Sequence, residues 1–369
     1  MKKFKSIMKK VAATAIVAAL FVSLTACGGD AENKNSSSAG AEKVSNSGET
    51  YEIVVSLTQP AESWGVKVMK EECAKIEEES NGQLKFTIYD SGTLLKIPDS
   101  FKGVQDGIAD IAFMPNNIAY DYFPVNSRLL AMPMFGFTSQ QQAYDIYKQL
   151  REEFPEIDAE AEEFGIVNLG AYFNSGSHLY MKEDKGIDSL DDIKGMKIGS
   201  SDAMQTELLN DSGATGVYIT SADAYTSLDN GVVDGIMQHP LFFQVTGCAD
   251  IIKNVVEFSD TGVTRAFSML IMNKSKYDSL PEDLQKILVD GFDRIVEMSQ
   301  KEEIENVKSY TQLLKDNGAA YTTLSDEDIA PLKELAEGQH KAVINELEGK
   351  GVNAQAIYDR AQELLRADE

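Results

Sequence analysis

A chain of 369 residues is long enough for two domains of ordinary size, and 43% hydrophobic residues is the content of a folded globular protein. Its formal net charge of −25 argues against nucleic-acid binding, which needs a positive footprint, and against adhesion to anionic lipid. That charge says little about a small ligand, because exposed charges are screened beyond roughly 8 Å at physiological salt.

The chain opens on Lys2, Lys3, Lys5, Lys9 and Lys10, followed by the apolar run Val11 to Leu24. The run has signal-peptide length and is short for a membrane span. It ends in Leu24-Thr25-Ala26-Cys27, a tetrad that resembles a bacterial lipobox. The resemblance implies cleavage after residue 26 and a diacylglycerol on Cys27, with the protein held at the outer face of the cytoplasmic membrane. Each buried CH₂ contributes roughly 0.8 kcal/mol, and two or more acyl chains anchor stably. The alternative is an ordinary signal peptide with a chance cysteine. Residues 27–48 are small and polar, cannot bury enough surface to fold, and are expected to form a flexible tether. Of the remaining cysteines, Cys73 falls in a helix of the first lobe and Cys248 in the second. A disulfide would lock the two together, so both are expected as buried thiols.

Tyr51 to Leu57 has strand character, and Gln59 to Ser63 turns the chain into a helix from about Trp64 to Ser80. Val66, Met69, Cys73 and Ile76 recur there at helical spacing. Leu84 to Tyr89 is a second strand, and a helix around 97–105 leads to Gly107, Asp110 and a strand to Met114. The β-α-β-α-β order predicts an open, doubly wound sheet. Further along, Ser139 to Phe154 is a helix, and Ile166 to Phe173 is a strand. The order repeats between about 166 and 238, where Gly231 and Asp234 stand as Gly107 and Asp110 did. Glycine accepts the left-handed turn at a helix C-terminus. One unit used twice predicts two lobes with a cleft between them. The expected division is lobe I over 49–172, lobe II over 173–262, and a return to lobe I over 263–369. Pro281, Glu282 and Asp283 start a long helix expected over about 281–317, which Gly291 is expected to bend.

Several strings carry a family resemblance. They are Asn81-Gly82 with Asp90-Ser91-Gly92-Thr93; Gly107 to Ala112; Leu190 to Ile198; Ser212 to Thr215; Gly231 to Gly235; and Leu280 to Gln285. In this order, from about residue 50 to 345, the chain resembles the extracytoplasmic solute-binding proteins of tripartite ATP-independent periplasmic (TRAP) transporters, the DctP type. The resemblance implies an α/β, two-lobed periplasmic-binding-protein-like fold with a ligand cleft between the lobes and a long C-terminal bracing helix. It implies capture of a small polar molecule, with an organic acid as the expected class, and delivery to small and large integral membrane permease subunits. No cofactor and no metal are expected. Two departures stand out. The family's Gly-Met-Lys-Ile string is usually followed by an arginine that grips the ligand carboxylate, and here that position is Gly199. Where many members place asparagine or glutamate, this chain has Gln238-His239-Pro240.

Ligands of open α/β sheets sit outside the carboxyl ends of the strands. That rule selects Trp64, for stacking or for packing, and Asn116 and Asn117, for a ligand or a turn. Ser200 and Ser201 offer an anion site or a helix cap. Gln238 and His239 offer polar recognition or structure, and Tyr172, Asn174 and His178 lie at the lobe crossing, as site or as hinge. Arg128 and Arg265 are candidates to replace the missing arginine, with surface or interlobe pairing as the alternative. Asp110 and Asp234 lie at the opposite strand end and are expected in caps or turns. A binding protein for an ATP-driven importer or a membrane sensor is the second reading. A secreted hydrolase is disfavoured, since His178, His239 and His340 fall in separate segments and HExxH, GxSxG and CxxC are absent from the sequence.

Overall fold

The computed structural model describes residues 48–259 and 261–367. The expected signal peptide, the Cys27 anchor and nearly all of the tether lie outside the described residues.

In lobe I, β1 (Tyr51–Ser56), α1 (Trp64–Glu79), β2 (Leu84–Tyr89), α2 (Ser100–Gln105) and β3 (Ile111–Pro115) form the expected β-α-β-α-β unit. α1 buries Val66, Met69, Cys73 and Ile76 on one stripe and ends where Asn81 and Gly82 turn left-handed. α3 (Pro124–Ser127), α4 (Gln140–Glu153), α5 (Glu156–Glu162) and β4 (Ile166–Phe173) follow. Lobe II contains β5 (His178–Met181), β6 (Lys197–Ser200), α6 (Ala203–Asp211), β7 (Thr215–Tyr218), α7 (Ala224–Asp229), β8 (Gly235–Gln238), α8 (Pro240–Thr246) and β9 (Asn254–Phe258). The chain returns through β10 (Phe267–Asn273) and α9 (Lys274–Asp278) to α10 (Glu282–Asp316), then β11 (Ala320–Leu324), α11 (Ala330–Gly349) and α12 (Ala354–Ala367).

The first sheet has the order β2-β1-β3-β10-β4 and the second β11-β9-β5-β8-β6-β7. In each, the strand supplied by a lobe crossing (β10 or β5) runs antiparallel to its neighbours. The placement of β11 corrects the expectation that 263–369 lies wholly in lobe I. β11 pairs in parallel with β9 and extends the second sheet.

The repeated aspartates do the same work twice. The Val54 amide donates to Asp110 Oδ2 at 2.8 Å, and the Lys197 amide donates to Asp234 Oδ2 at 2.8 Å. The Asp110 and Asp234 amides donate back to the Val54 and Lys197 carbonyls. Each aspartate thus pins the start of its strand to a parallel neighbour, after a glycine with φ of +73° (Gly107) or +67° (Gly231).

Two helices belong to both lobes. α10 buries Leu284, Leu288, Phe292 and Ile295 in the lobe I core, and Tyr310 and Leu314 in a lobe II cluster with Tyr180, Ile236 and Phe243. α11 buries Leu332 and Ala336 with lobe II, and Val343, Ile344 and Leu347 with lobe I. Between the straps, the two crossing segments pair through Asn174 N–H to Ala266 O (2.9 Å), Ser177 N–H to Thr264 O (2.8 Å) and Val263 N–H to Ser177 O (2.9 Å). A Cβ on Gly176 would fall 2.2 Å from Thr261 O, so the segments touch backbone to backbone. Cys73 and Cys248 are free and buried.

α10 is one continuous helix of 35 residues, and Gly291 lies inside it without ending it. The glycine is needed for approach, because an added Cβ would lie 2.3 Å from Ile76 Cγ1 on α1. Alanine gains about 1 kcal/mol of helix propensity over glycine, whereas overpacking a filled core costs about 1–3 kcal/mol. Gly291→Ala is therefore expected to lower the midpoint of thermal and urea unfolding. A rise in either midpoint would show that Ile76 moves aside freely.

Candidate functional site

Lobe I meets the cleft at the ends of β1, β3 and β4. The Tyr172 hydroxyl hydrogen-bonds with Ser268 and Gln59, and burial raises its pKa. The Trp64 ring stands edge-on to Tyr172, with centroids 5.8 Å apart. Asn174 Nδ2 donates to Glu303 Oε1 of α10 at 2.9 Å. One turn earlier, Gln300 accepts from the Phe173 amide at 2.7 Å and donates to its carbonyl at 3.2 Å. Glu303 is buried, and desolvation pushes its pKa up to about 7 against the stabilising Asn174 amide. Neither Gln300 nor Glu303 was singled out in the sequence. The available signal was that both interrupt the apolar stripe of α10 midway.

Lobe II meets the cleft at the ends of β6 and β8. Asn117 Nδ2 donates across to the Ser201 carbonyl at 3.1 Å, so the lobes touch there. Gln238 Nε2 donates to Ser201 Oγ. Asp202 caps α6 through the Gln205 amide at 2.7 Å, and burial raises its pKa. His239 precedes Pro240 at the start of α8, and burial drives its pKa down to about 4. Gln59, Ser63, Ser175, His239, Thr264 and Arg265 each bury a polar side-chain atom that has no partner among the described residues. Such atoms are rare in folded proteins, and these fall at the facing strand ends and the crossing.

Trp64, Asn117, Tyr172, Asn174, Ser201, Gln238 and His239 are thus assembled at the facing ends. The other candidates are held elsewhere. Asn116 turns into lobe I, donating to Ser127 O and accepting from the Phe267 amide, both at 3.4 Å. Ser200 Oγ accepts from the Asp202 amide at 3.0 Å and from Gln205 Nε2 at 2.9 Å, inside the α6 cap. His178 Nδ1 accepts from the Phe258 amide at 3.1 Å; burial, then the Arg265 charge, lowers its pKa to about 4.

Both candidate arginines are engaged. Arg128 forms a two-pronged pair with Glu346 of α11 at 2.9 and 2.6 Å and lies over the Tyr120 ring. It lines a groove of about 300 Å³ between Tyr120 of lobe I, Met204 and Glu207 of α6, and Gln339 and Glu346 of α11. Arg265 donates to the carbonyls of Phe137, Asn174 and Thr261, tying a lobe I loop to both crossing segments. Burial lowers its pKa to about 10. Gly199 is no open slot either. A Cβ there would lie 2.7 Å from Ile219 Cδ1 and 3.3 Å from Ile236 Cγ1, so aliphatic side chains occupy the space beside it.

A profile of the DctP family, bacterial extracellular solute-binding protein, family 7, matches residues 55–347. A solute-binding protein of Albidiferax ferrireducens is 26% identical over 278 residues, covering 73% of this chain and 78% of its own length. A marine-metagenome TRAP solute-binding protein, in complex with co-crystallised 3-hydroxybenzoate, superposes with a TM-score of 0.76 at 21% identity, over 86% of this chain and 99% of its own. A TRAP periplasmic solute-binding protein of Desulfovibrio salexigens, with bound orotic acid, gives 0.73 at 21% identity over the same shares.

An acid whose pKa rises on folding keeps its proton longer in the native state, so stability falls as pH climbs from its ordinary value through the folded one. For Glu303 that window runs from 4.5 to about 7. The stability of Glu303→Gln relative to the parent should therefore grow as pH rises from about 5 to 7, measured by urea unfolding at each pH. A difference independent of pH would show that Glu303 titrates normally.

Proposed function

The chain belongs to the DctP family of bacterial extracellular solute-binding proteins, and on that premise we propose that it captures a small polar organic acid between its lobes and delivers it to the membrane subunits of a TRAP permease. Its relatives are solute-binding receptors rather than enzymes. The observation that carries the reading is the convergence of unpartnered polar atoms on Gln59, Ser63, Ser175 and His239 at the facing strand ends, beside the Asn117–Ser201 bond. A ligand with donors and acceptors satisfies such atoms only when the lobes are together. The neighbours with 3-hydroxybenzoate and orotic acid support an acid as the class. The Leu24-Thr25-Ala26-Cys27 tetrad supports a lipid on Cys27 holding the receptor at the outer face of the cytoplasmic membrane. Among the described residues no helix is long and apolar enough to cross a membrane.

A ligand that binds only the folded state stabilises it by about 2.7 kcal/mol at a hundredfold excess over Kd. A panel of small aromatic, hydroxy- and amino-substituted acids is expected to contain members that raise the melting temperature of the purified receptor. The absence of any shift, with no small molecule co-purifying, would overturn the reading. For the anchor, Cys27→Ala should move the protein from the membrane fraction to the soluble one. Unchanged fractionation would remove Cys27 as the attachment point.

A further inference from the structure

We propose that the lobe crossing holds the seat for the acid group of the captured solute, made by the free Nε edge of the Arg265 guanidinium and the Ser175 hydroxyl. This rests on the reading of the chain as a receptor for a small organic acid and assigns the residues that select the acid.

The first ground is a buried charge that the fold leaves unbalanced. Arg265 is 7% exposed, and burial lowers its pKa only to about 10, so it stays a cation at neutral pH. Among the described residues no carboxylate offsets it. Glu303, reached through Asn174, is pushed toward its neutral form by desolvation. His178 is held neutral by burial and by the Arg265 charge itself. The bonds Arg265 does make run to the carbonyls of Asn174, Phe137 and Thr261 at 3.3, 3.4 and 3.2 Å, long for N–H···O. A guanidinium carries five donors, and the Nε of Arg265 is buried without a partner. A cation taken out of water against neutral dipoles alone is costly, and a carboxylate relieves that cost. The other places for a counter-ion are closed. Arg128 is paired with Glu346, and Ile219 and Ile236 fill the space beside Gly199.

The second ground is the place where that charge stands. In the first sheet Phe267 is paired with Phe173, and the Asn174 N–H to Ala266 O bond carries the same register into the crossing. The next pair is Arg265 and Ser175. Directly opposed residues of an antiparallel ladder share a face, with β carbons about 5 Å apart. The bond from Arg265 Nη1 to Asn174 O keeps the guanidinium at that step. Ser175 Oγ is buried and unpartnered, as Arg265 Nε is. Two donors without an acceptor, one of them charged, converge there on the position of an anionic oxygen. The seat adjoins the facing strand ends. His178, which feels the Arg265 charge, is paired in register with Gln238. Gln238 donates to Ser201, whose carbonyl receives Asn117 from lobe I. The outer nitrogens of Arg265 stay on their carbonyls, so the solute meets the guanidinium by one prong and the crossing remains stapled.

The test uses acids and their neutral amides on one skeleton: benzoate and benzamide, 3-phenylpropionate and its amide, lactate and lactamide, succinate and succinamide. Binding to the purified receptor is read by titration calorimetry, and mass spectrometry identifies any molecule released when the natively purified protein is denatured; a released acid joins the set with its amide. At least one acid should bind about tenfold or more tightly than its amide. In Arg265→Gln that acid should lose about tenfold or more in affinity and its preference over the amide should collapse. Ser175→Ala, which leaves the staple in place, should weaken the acid about threefold or more and the amide not at all, and it decides the matter if Arg265→Gln does not fold. A crystal structure with the acid should show a carboxylate oxygen about 3 Å from Arg265 Nε and from Ser175 Oγ. A carboxylate found elsewhere, acid binding unchanged in either variant, or equal losses for acid and amide overturns the proposal and leaves the receptor reading intact, because a purely structural role moves both ligands alike. A site that holds bromide in the crystal while the acid binds elsewhere, an inorganic anion only, overturns it as well. A protein that binds no acid or amide of the set and releases nothing overturns both readings.

Discussion

Gln300 and Glu303 hold the end of β4 from the middle of a helix whose two halves are buried in different cores. Each large apolar side chain on α10 contributes about 1.5–3 kcal/mol by leaving water. Pulling either half of the helix away therefore costs more than any single hydrogen bond in the cleft returns. α11 repeats the arrangement on the other flank, with Leu332 and Ala336 in lobe II and Val343 and Leu347 in lobe I. The lobes are tied by two straps and a short ladder of crossing backbone. The stretches between these anchors are short: Asn174 to Ser177, Thr261 to Ala266, and the middle turns of the straps.

The same division separates stability from binding. Asp110 and Asp234 fasten the amino ends of their strands, where the carboxylates accept backbone amides of the adjacent strand. The carboxyl ends are free of that task, and there Asn117, Ser201, Gln238, Tyr172 and Trp64 present amides, a hydroxyl and aromatic rings. Arg265 belongs to the fastening side of this division. Its guanidinium takes carbonyls of Phe137, Asn174 and Thr261, a use that resembles a staple more than a clamp for ligand.

Much of this architecture was legible from local signals. Gly107 and Gly231 marked helix ends, Pro281 with Glu282 and Asp283 marked the start of α10, and apolar spacing gave α1 and α4 to within a residue or two. What was hidden depends on partners distant in sequence. β11 joins lobe II because β9 offers it an unpaired edge, and no local pattern in Ala320 to Leu324 names that edge. Gly291 looked like a bend and proves to be a contact, since the residue it admits, Ile76, lies on another helix. In the site, Asn117 and Ser201 could be chosen by the strand-end rule. Glu303 could not, because it reaches the cleft from a helix the rule does not consider. Asn116 and Ser200 satisfied the rule, but their side chains turn into their own lobes.

On the proposed reading, closure and recognition are coupled through the same atoms. Bringing the lobes together forms the Asn117–Ser201 bond, worth about 0.5–1.5 kcal/mol net. Polar atoms of Gln59, Ser63, Ser175 and His239 are buried without partners, and an unsatisfied buried polar group costs about 1–3 kcal/mol. A ligand that bonds to them favours the closed lobes by as much as its contacts differ between the open and closed states. On the proposed reading, fit to these buried atoms decides which molecules the closed lobes keep. A mismatched molecule leaves such groups unsatisfied, so discrimination follows the pattern of donors and acceptors.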